Sequence, residues 1–381
     1  MTDREHSGLQ PAPRPNYREL FLLFAGSRLL VFAIAGLSLR GINKGPHFTP
    51  TAGPLDWFMR WDAAWYLDIA RHGYSFTRDG DPSNVVFLPL YPTLMRLFSL
   101  GGLIPLQVAG YLVSLGGLWL ACLWLWRLVA REWRDAQLAT WSVIFLLFGP
   151  VSFFFSSLYS EAIFLPLVIG CLAFAREGRW WLAGTLGALA ANTRFIGLML
   201  VVPLAWEYLS AHRRPGRLLP EFRLAPLLAC ALPLAGLGVY CALMWLQFGD
   251  PLMYFRGQLH WGRKIAWWWD LFARYSYTGQ PLFYQIWFAA TVVCSLGLLA
   301  AGALLRVPAT YLVFGLTFSF VYISSRFTEA LPRYFSIVFP LYIVLALIGR
   351  RWPGATAPLL GTSAALLTLS VTLFVNGYWF T

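Results

Sequence analysis

Charge is what this chain has least of. Asp, Glu, Lys and Arg supply 12% of its 381 residues against 58% hydrophobic, and no water-soluble surface can be built at that ratio. A soluble domain, an internal repeat and a low-complexity tract are all missing, and the two halves do not correspond. The first apolar run, LFLLFAGSRLLVFAIAGLSL (Leu20 to Leu39), is too long for a signal-peptide core and is followed by no small-residue cleavage site, so it reads as a retained span. Cysteine is sparse too. Cys122, Cys171, Cys230, Cys241 and Cys294 all fall in apolar segments. Their odd number argues against a disulfide framework and their spacing suits no metal, so they read as core packing residues. The formal net charge of +12 does not imply nucleic acid as a partner. The basic residues cluster at the ends of apolar runs, and no basic domain stands apart.

What the chain has in abundance is runs long enough to cross about 30 Å of hydrocarbon. They imply an all-α polytopic membrane protein, one domain over 1–381 with about 11 transmembrane helices. With residues 1–18 as a cytoplasmic arm, span 19–39 exits into a loop over 40–105, far longer than an ordinary connection and therefore suspected of function. Spans 106–127, 137–155 and 161–175 follow. Residues 180–209 read as two short crossings with ANTRF at the outer tip, because a single crossing would leave Arg213, Arg214, Arg217 and Arg223 outside. Span 224–247 leads to a second outer loop, 249–280, and spans 281–304, 308–324, 332–349 and 355–376 complete the set. The cations left outside belong to the first loop, Arg194, FRGQLHWGRK (255–264) and RFTEALPR (326–333). Their gathering on one face suggests an anionic ligand there; the alternative is arginines that snorkel to headgroups.

Within the first loop, DWFMRWDAAWYLDIARHGY (56–74) reads as a helix capped by Asp56 and stopped by Gly73. At ~100° per residue, Phe58, Asp62, Trp65, Tyr66 and Ile69 share a face, and Asp68 can pair with Arg71. Asp62 alone is left without a structural role. A carboxylate inside an aromatic stripe loses hydration unless something requires it there, and burial favours the neutral form of a carboxyl group, which suits a general base. The alternative is that Asp62 accepts indole N–H groups or pairs with an arginine from another loop. Downstream, VVFLPLYPTLMRLFSL (85–100), broken near Pro89 and Pro92, reads as a second amphipathic helix lying on the outer leaflet. Two interface helices roofing a cavity between spans suit an enzyme whose substrate is a lipid.

RWDAAWYLDIARHGY, FLPLYPTLMR, SSLYSEAIF, ANTRFIGL, GDPLMYFRGQLHWGR and LPRYFSIVFPLYIVLA occur in that order, and over about residues 20 to 349 the chain resembles the bacterial branch of the PIG-V family. That family is related to glycosylphosphatidylinositol mannosyltransferase II, among the GT-C glycosyltransferases. The resemblance implies a GT-C fold in a bacterial plasma membrane and an inverting mannosyltransferase. Its donor would be polyprenyl-phosphate-mannose and its acceptor an unidentified molecule on the extracytoplasmic face. The family's Trp-Asp pair matches Trp61-Asp62 and puts the catalytic base at Asp62. Further family motifs match Tyr159-Ser160-Glu161, Thr193-Arg194 and Pro332-Arg333-Tyr334. Arg194, Arg333 or Arg263 would meet the charge on the departing lipid phosphate. Arg60, Trp61, Tyr66, His72, Tyr91, Tyr159, Glu161, Gln258, Trp261 and Tyr334 complete the candidate substrate-binding set. Three of these have a competing structural role: Glu161 complementing a helix dipole, Trp261 (with the WWWD run at 267–270) anchoring the interface, and His72 ending a helix. The first loop lacks the paired acidic residues of many GT-C enzymes, so neither a metal nor a prosthetic group is expected. The partners are the lipid-linked donor, the acceptor and membrane lipids. Two alternatives stay open: another polyprenyl-phosphate sugar, or a lipid or solute transporter or non-catalytic membrane partner. The latter sits poorly with unusual residues concentrated on one face and no inverted repeat.

Overall fold

The structure, a computed structural model, describes residues 13–50, 53–77, 79–213, 221–262, 282–324 and 330–378. Among the described residues it is helical throughout, with no strand. In chain order the helices are α1 (Tyr17–Gly41), α2 (Asp62–His72), α3 (Leu90–Phe98), α4 (Leu106–Trp133) and α5 (Ala136–Leu147). Next come α6 (Glu161–Arg176), α7 (Trp180–Ala191), α8 (Val201–Ala211), α9 (Leu224–Phe248) and α10 (Met253–His260). The last are α11 (Leu282–Leu304), α12 (Ala309–Ile323), α13 (Leu331–Phe335), α14 (Pro340–Arg351) and α15 (Thr356–Val375). Among the described residues five segments, α1, α4, α9, α11 and Pro353–Val375, are long and apolar enough to cross a membrane; α5, α7, α12 and residues 195–211 are shorter apolar helices.

Helix α6 occupies the middle, packed between α4 and α7, while α7 lies along α9, α5 along α14 and α1 along α15. In a bilayer the helices gain little from hydrophobic association, so close backbone approach has to supply contact, and small residues permit it. A Cβ on Gly117 of α4 would run into the carbonyl oxygen of Ala162 in α6, and one on Gly184 of α7 into that of Ala229 in α9. Gly36 of α1 leaves room for the Trp57 indole, which carries the first loop onto the bundle.

Two expected spans are interrupted. Residues 137–155 form α5 only to Leu147, then turn into a 3-10 segment, Ser152–Ser156. Residues 332–349 divide into α13 and α14. At the first break the freed backbone carbonyls are met by Arg28, which is 4% exposed in the middle of α1. Its guanidinium donates to Leu147 O at 2.6 Å, Ser152 O at 3.0 Å and Ser156 Oγ at 3.1 Å. A cation at a helix C-terminus satisfies orphan carbonyls and complements the dipole, so an arginine inside an apolar span is here a cap. The cysteines are core residues with one correction: Cys122, Cys171 and Cys230 are buried and Cys241 is half-buried, but Cys294 is exposed.

The glycine contacts give the first test. Gly117→Val pushes a side chain into a backbone carbonyl that cannot swing away, whereas nothing lies within 4 Å of a Cβ on Gly116. Gly117→Val should cost about 1–3 kcal/mol and lower the thermal unfolding temperature of the purified protein, with Gly116→Val nearer to wild type. Equal effects at the two positions would contradict the packing.

Candidate active site

The first loop is built differently from its sequence pattern. Asp56 does not cap a helix; it closes a 3-10 turn, Pro54–Asp56, and α2 begins only at Asp62. Tertiary contacts override the local helical pattern here. Phe58 is fully buried among Phe32, Phe153 and Phe374, off the helix face assigned to it. Arg60 donates to Thr49 O at 2.7 Å and Val375 O at 3.1 Å. The carbonyl of Arg60 accepts the Tyr159 hydroxyl at 2.9 Å. These ties force Trp61 to φ 44° and ψ −109°, a conformation that costs a bulky residue about 1–3 kcal/mol. The strained turn swings the chain so that Asp62 opens α2, where the helix dipole favours negative charge.

Asp68 also has other partners than expected. Rather than Arg71, its carboxylate meets His72 Nδ1 at 2.9 Å and Asn84 Nδ2 at 2.8 Å, and Asn84 in turn ties the loop to Gly73 O and Ser75 N. Gly73 is the stop, with φ 84°. Pro89 marks a real break, but Pro92 sits in the first turn of α3, where a missing N–H is tolerated.

Asp62 is one end of a chain of charges. Arg333 Nη1 lies 2.6 Å from Asp62 Oδ2, and Arg333 Nε lies 3.2 Å from Glu161 Oε1. Arg194 Nη1 lies 2.5 Å from the same Glu161 oxygen and donates to Ser160 Oγ at 3.1 Å. Side-chain exposure is 20% for Asp62, 5% for Arg333, 13% for Arg194 and nil for Glu161. Two carboxylates and two guanidinium groups therefore balance in a site largely shut off from water, as buried charges must. Glu161 stands at the N-terminus of α6, and its dipole role is joined by this ion-pair role. Beneath the charges lies an aromatic floor. Arg333 stands over the rings of Tyr159 at 5.1 Å and Tyr334 at 5.2 Å, and Arg194 over Tyr334 at 5.4 Å. Tyr66 donates to Ser160 Oγ at 2.7 Å, and burial raises its phenol above the ordinary value, keeping it a donor.

The chain borders a cavity of about 790 Å³ lined by Asp62, Tyr66, Thr193, Arg194, Gln258, Arg333 and Tyr334, with apolar walls from Phe195, Met199, Phe255, Leu259 and Phe320. Of the sequence-derived candidates, Asp62, Tyr66, Arg194, Gln258, Arg333 and Tyr334 thus meet in one place. Glu161 and Tyr159 stand behind it, and Arg60 and Trp61 hold the turn. Three others lie off the cavity: His72 is exposed beside Asp68, Tyr91 is buried on Ser114 and Gly110, and Trp261 donates to Ser83 O while packing on Trp65 and Phe87. Arg263, the WWWD run and residues 325–329 fall outside the described residues. Sequence reasoning missed Tyr322, which lines the cavity and stacks on Tyr334 with ring centroids 4.4 Å apart. Its one signal is a phenol near the end of a largely apolar helix.

Comparison with solved structures defines the fold. The chain superposes on ArnT from Cupriavidus metallidurans bound to undecaprenyl phosphate with a TM-score of 0.56 at 14% identity, covering 96% of this chain and 77% of that one. Its apo state gives 0.54 at 15% identity. The architecture is a GT-C-like helical bundle. The profile of the Mannosyltransferase (PIG-V) family matches residues 51–289, and the chain belongs to that family. It is 32% identical over 157 residues to GPI alpha-1,6-mannosyltransferase 2 of Mus musculus, a match spanning 39% of this chain and 31% of that protein. The Rattus norvegicus counterpart is 34% identical over 157 residues, with the same coverage.

Glu161→Gln tests the charge chain. It leaves Arg194 facing a neutral amide in a dry site, so the folded state should lose roughly 3 kcal/mol, read as a lower unfolding temperature. The double variant Glu161→Gln/Arg194→Met should recover part of the loss; an unchanged unfolding temperature in the single variant would contradict the network.

Proposed function

We propose that the protein is an inverting mannosyltransferase that moves mannose from a polyprenyl-phosphate carrier to an acceptor hydroxyl on the extracytoplasmic face of a bacterial plasma membrane. The observation that carries this reading is the contact between Asp62 and Arg333, 2.6 Å apart, at the edge of a cavity with apolar walls. It sets a proton acceptor beside a cation fitted to phosphate.

In this reaction the acceptor oxygen attacks the anomeric carbon from the side opposite the phosphate. The bond from that carbon to the phosphate oxygen breaks, its electron pair leaves on the phosphate, and the acceptor proton passes to Asp62. Protonation cancels the charge of Asp62 as the phosphate gains one, so Arg333 can turn its hydrogen bonds from carboxylate to phosphate without a net charge entering the site. Arg194, braced by Glu161 and Ser160, provides a second cation. The apolar wall residues suit the isoprene units of a carrier lipid, and α2 and α3 suit a membrane interface.

Family membership supports the mannose, and the fold neighbour holding undecaprenyl phosphate supports the carrier. Arginines that defy the positive-inside bias support the outer face. Asp62→Asn should lower transfer from polyprenyl-phosphate-mannose by ~10²–10⁴-fold, measured with labelled donor and purified protein; transfer at the wild-type rate would remove Asp62 as the base. Because arginines meet the phosphate charge, the reaction calls for no divalent metal, and transfer should survive a chelator unchanged. Loss of activity restored by added metal would contradict that assignment.

A further inference from the structure

Two neutral polar atoms in the cavity wall have no hydrogen-bond partner among the described residues. One is the hydroxyl of Tyr322, a residue 6% exposed, and the other is the buried Oε1 of Gln258. Both residues line the cavity that Asp62 and Arg333 border. Withdrawing a hydroxyl or an amide oxygen from water without a partner is unfavourable, and buried polar groups are nearly always paired, so each exception calls for a missing partner. Neither atom takes part in the ion pairs that link Asp62 to Arg194; the Arg194 guanidinium neighbours the Tyr322 hydroxyl but can only donate to it, which leaves the phenol proton free.

Each group is held on a rigid support. The Tyr322 ring stacks on Tyr334 at an interplanar angle of 17°, and the same Tyr334 ring carries the Arg194 guanidinium. Gln258 rides on α10, which is clamped on three sides. Gly257 presses on Val85 and Val86, Tyr254 stacks on Phe195 with centroids 4.5 Å apart, and Trp261 Nε1 donates to Ser83 O at 3.0 Å. A donor and an acceptor fixed in place and facing one cavity are prepared for a ligand that offers both functions.

We propose that Tyr322 and Gln258 form an uncharged subsite that reads the sugar ring. The Tyr322 hydroxyl donates to one ring substituent and Gln258 Oε1 accepts from another, while the phosphate lies at Arg333 and Arg194. This rests on the glycosyl-transfer reading above and adds to it the residues that grip the sugar. Neighbouring hydroxyls of a neutral sugar act as donor and acceptor together, as the pair requires. A site built to bond a hydroxyl discriminates strongly against an analogue that lacks it.

The test is binding rather than turnover. Affinities of the full-length protein in lipid nanodiscs are measured for polyprenyl-phosphate-mannose and for bare polyprenyl phosphate, in wild type, Tyr322→Phe and Gln258→Met. Both substitutions keep the shape of the side chain and remove the polar atom, and unfolding temperatures check that the fold is intact. Each variant should bind the sugar-bearing carrier about tenfold more weakly, with the affinity for bare polyprenyl phosphate unchanged. Equal weakening for both carriers, or no weakening for either, would overturn the subsite and leave water as the occupant of the two atoms. A wild-type protein that binds neither carrier would overturn the glycosyl-transfer reading itself, and the subsite with it.

Discussion

The carboxylate of Glu161 has no exposed surface, and one of its oxygens lies within ion-pair distance of two arginines from distant parts of the chain. A charge so placed is tolerable only while it is compensated. That requirement sets where α7 must end, so that Arg194 arrives, and where α13 must sit, so that Arg333 arrives. Arg333 then reaches Asp62 across the gap between the bundle and the first loop. The site is thus assembled from four separate segments by the need to keep one buried anion company.

The same helix is anchored by charge at its far end. Arg176, in the last turn of α6, pairs with Glu132 of α4 and with Glu207 of α8, and Tyr311 and Thr310 of α12 donate to those carboxylates. An acid at the N-terminus and a base at the C-terminus both complement the dipole of α6. At about 1.5 Å per residue, its 16 residues hold the two networks roughly 24 Å apart. The interior of α6 is apolar and closely fitted, with Gly170 receiving the Trp124 ring. A strut fixed at both ends gives the cavity a stable wall, and a geometry that must hold a base beside a cation needs such rigidity.

Much of this was legible in the sequence because it rests on long-period patterns. Apolar length marked α1, α4, α9, α11 and α15, and the arginine distribution required the short turn at Ala191 to Phe195 that presents Arg194. Motif order pointed to Asp62, Glu161, Arg194 and Arg333 together, although which residues touch was not readable from it. The errors were local. Asp56 looked like a cap because helical propensity continues through residues 56–61, whereas buried Phe58 and the anchored Arg60 break the helix there; Asp68 looked like a partner of Arg71, whereas His72 and, from a later segment, Asn84 take its carboxylate. Arg28 and Tyr322 were invisible for the opposite reason: each sits in a largely apolar run, and its role depends on carbonyls or a cavity supplied by other segments.

The central claim is that the charge chain running from Asp62 to Arg194 is the phosphate-handling end of an active site. A structure of the protein with polyprenyl phosphate bound tests it most directly. The expected result is a phosphate within hydrogen-bonding distance of Arg333 and Arg194, with the contact between Arg333 and Asp62 lengthened from its present 2.6 Å and the contact of Arg194 with Glu161 retained. A phosphate bound elsewhere, with the chain of four side chains undisturbed, would contradict it.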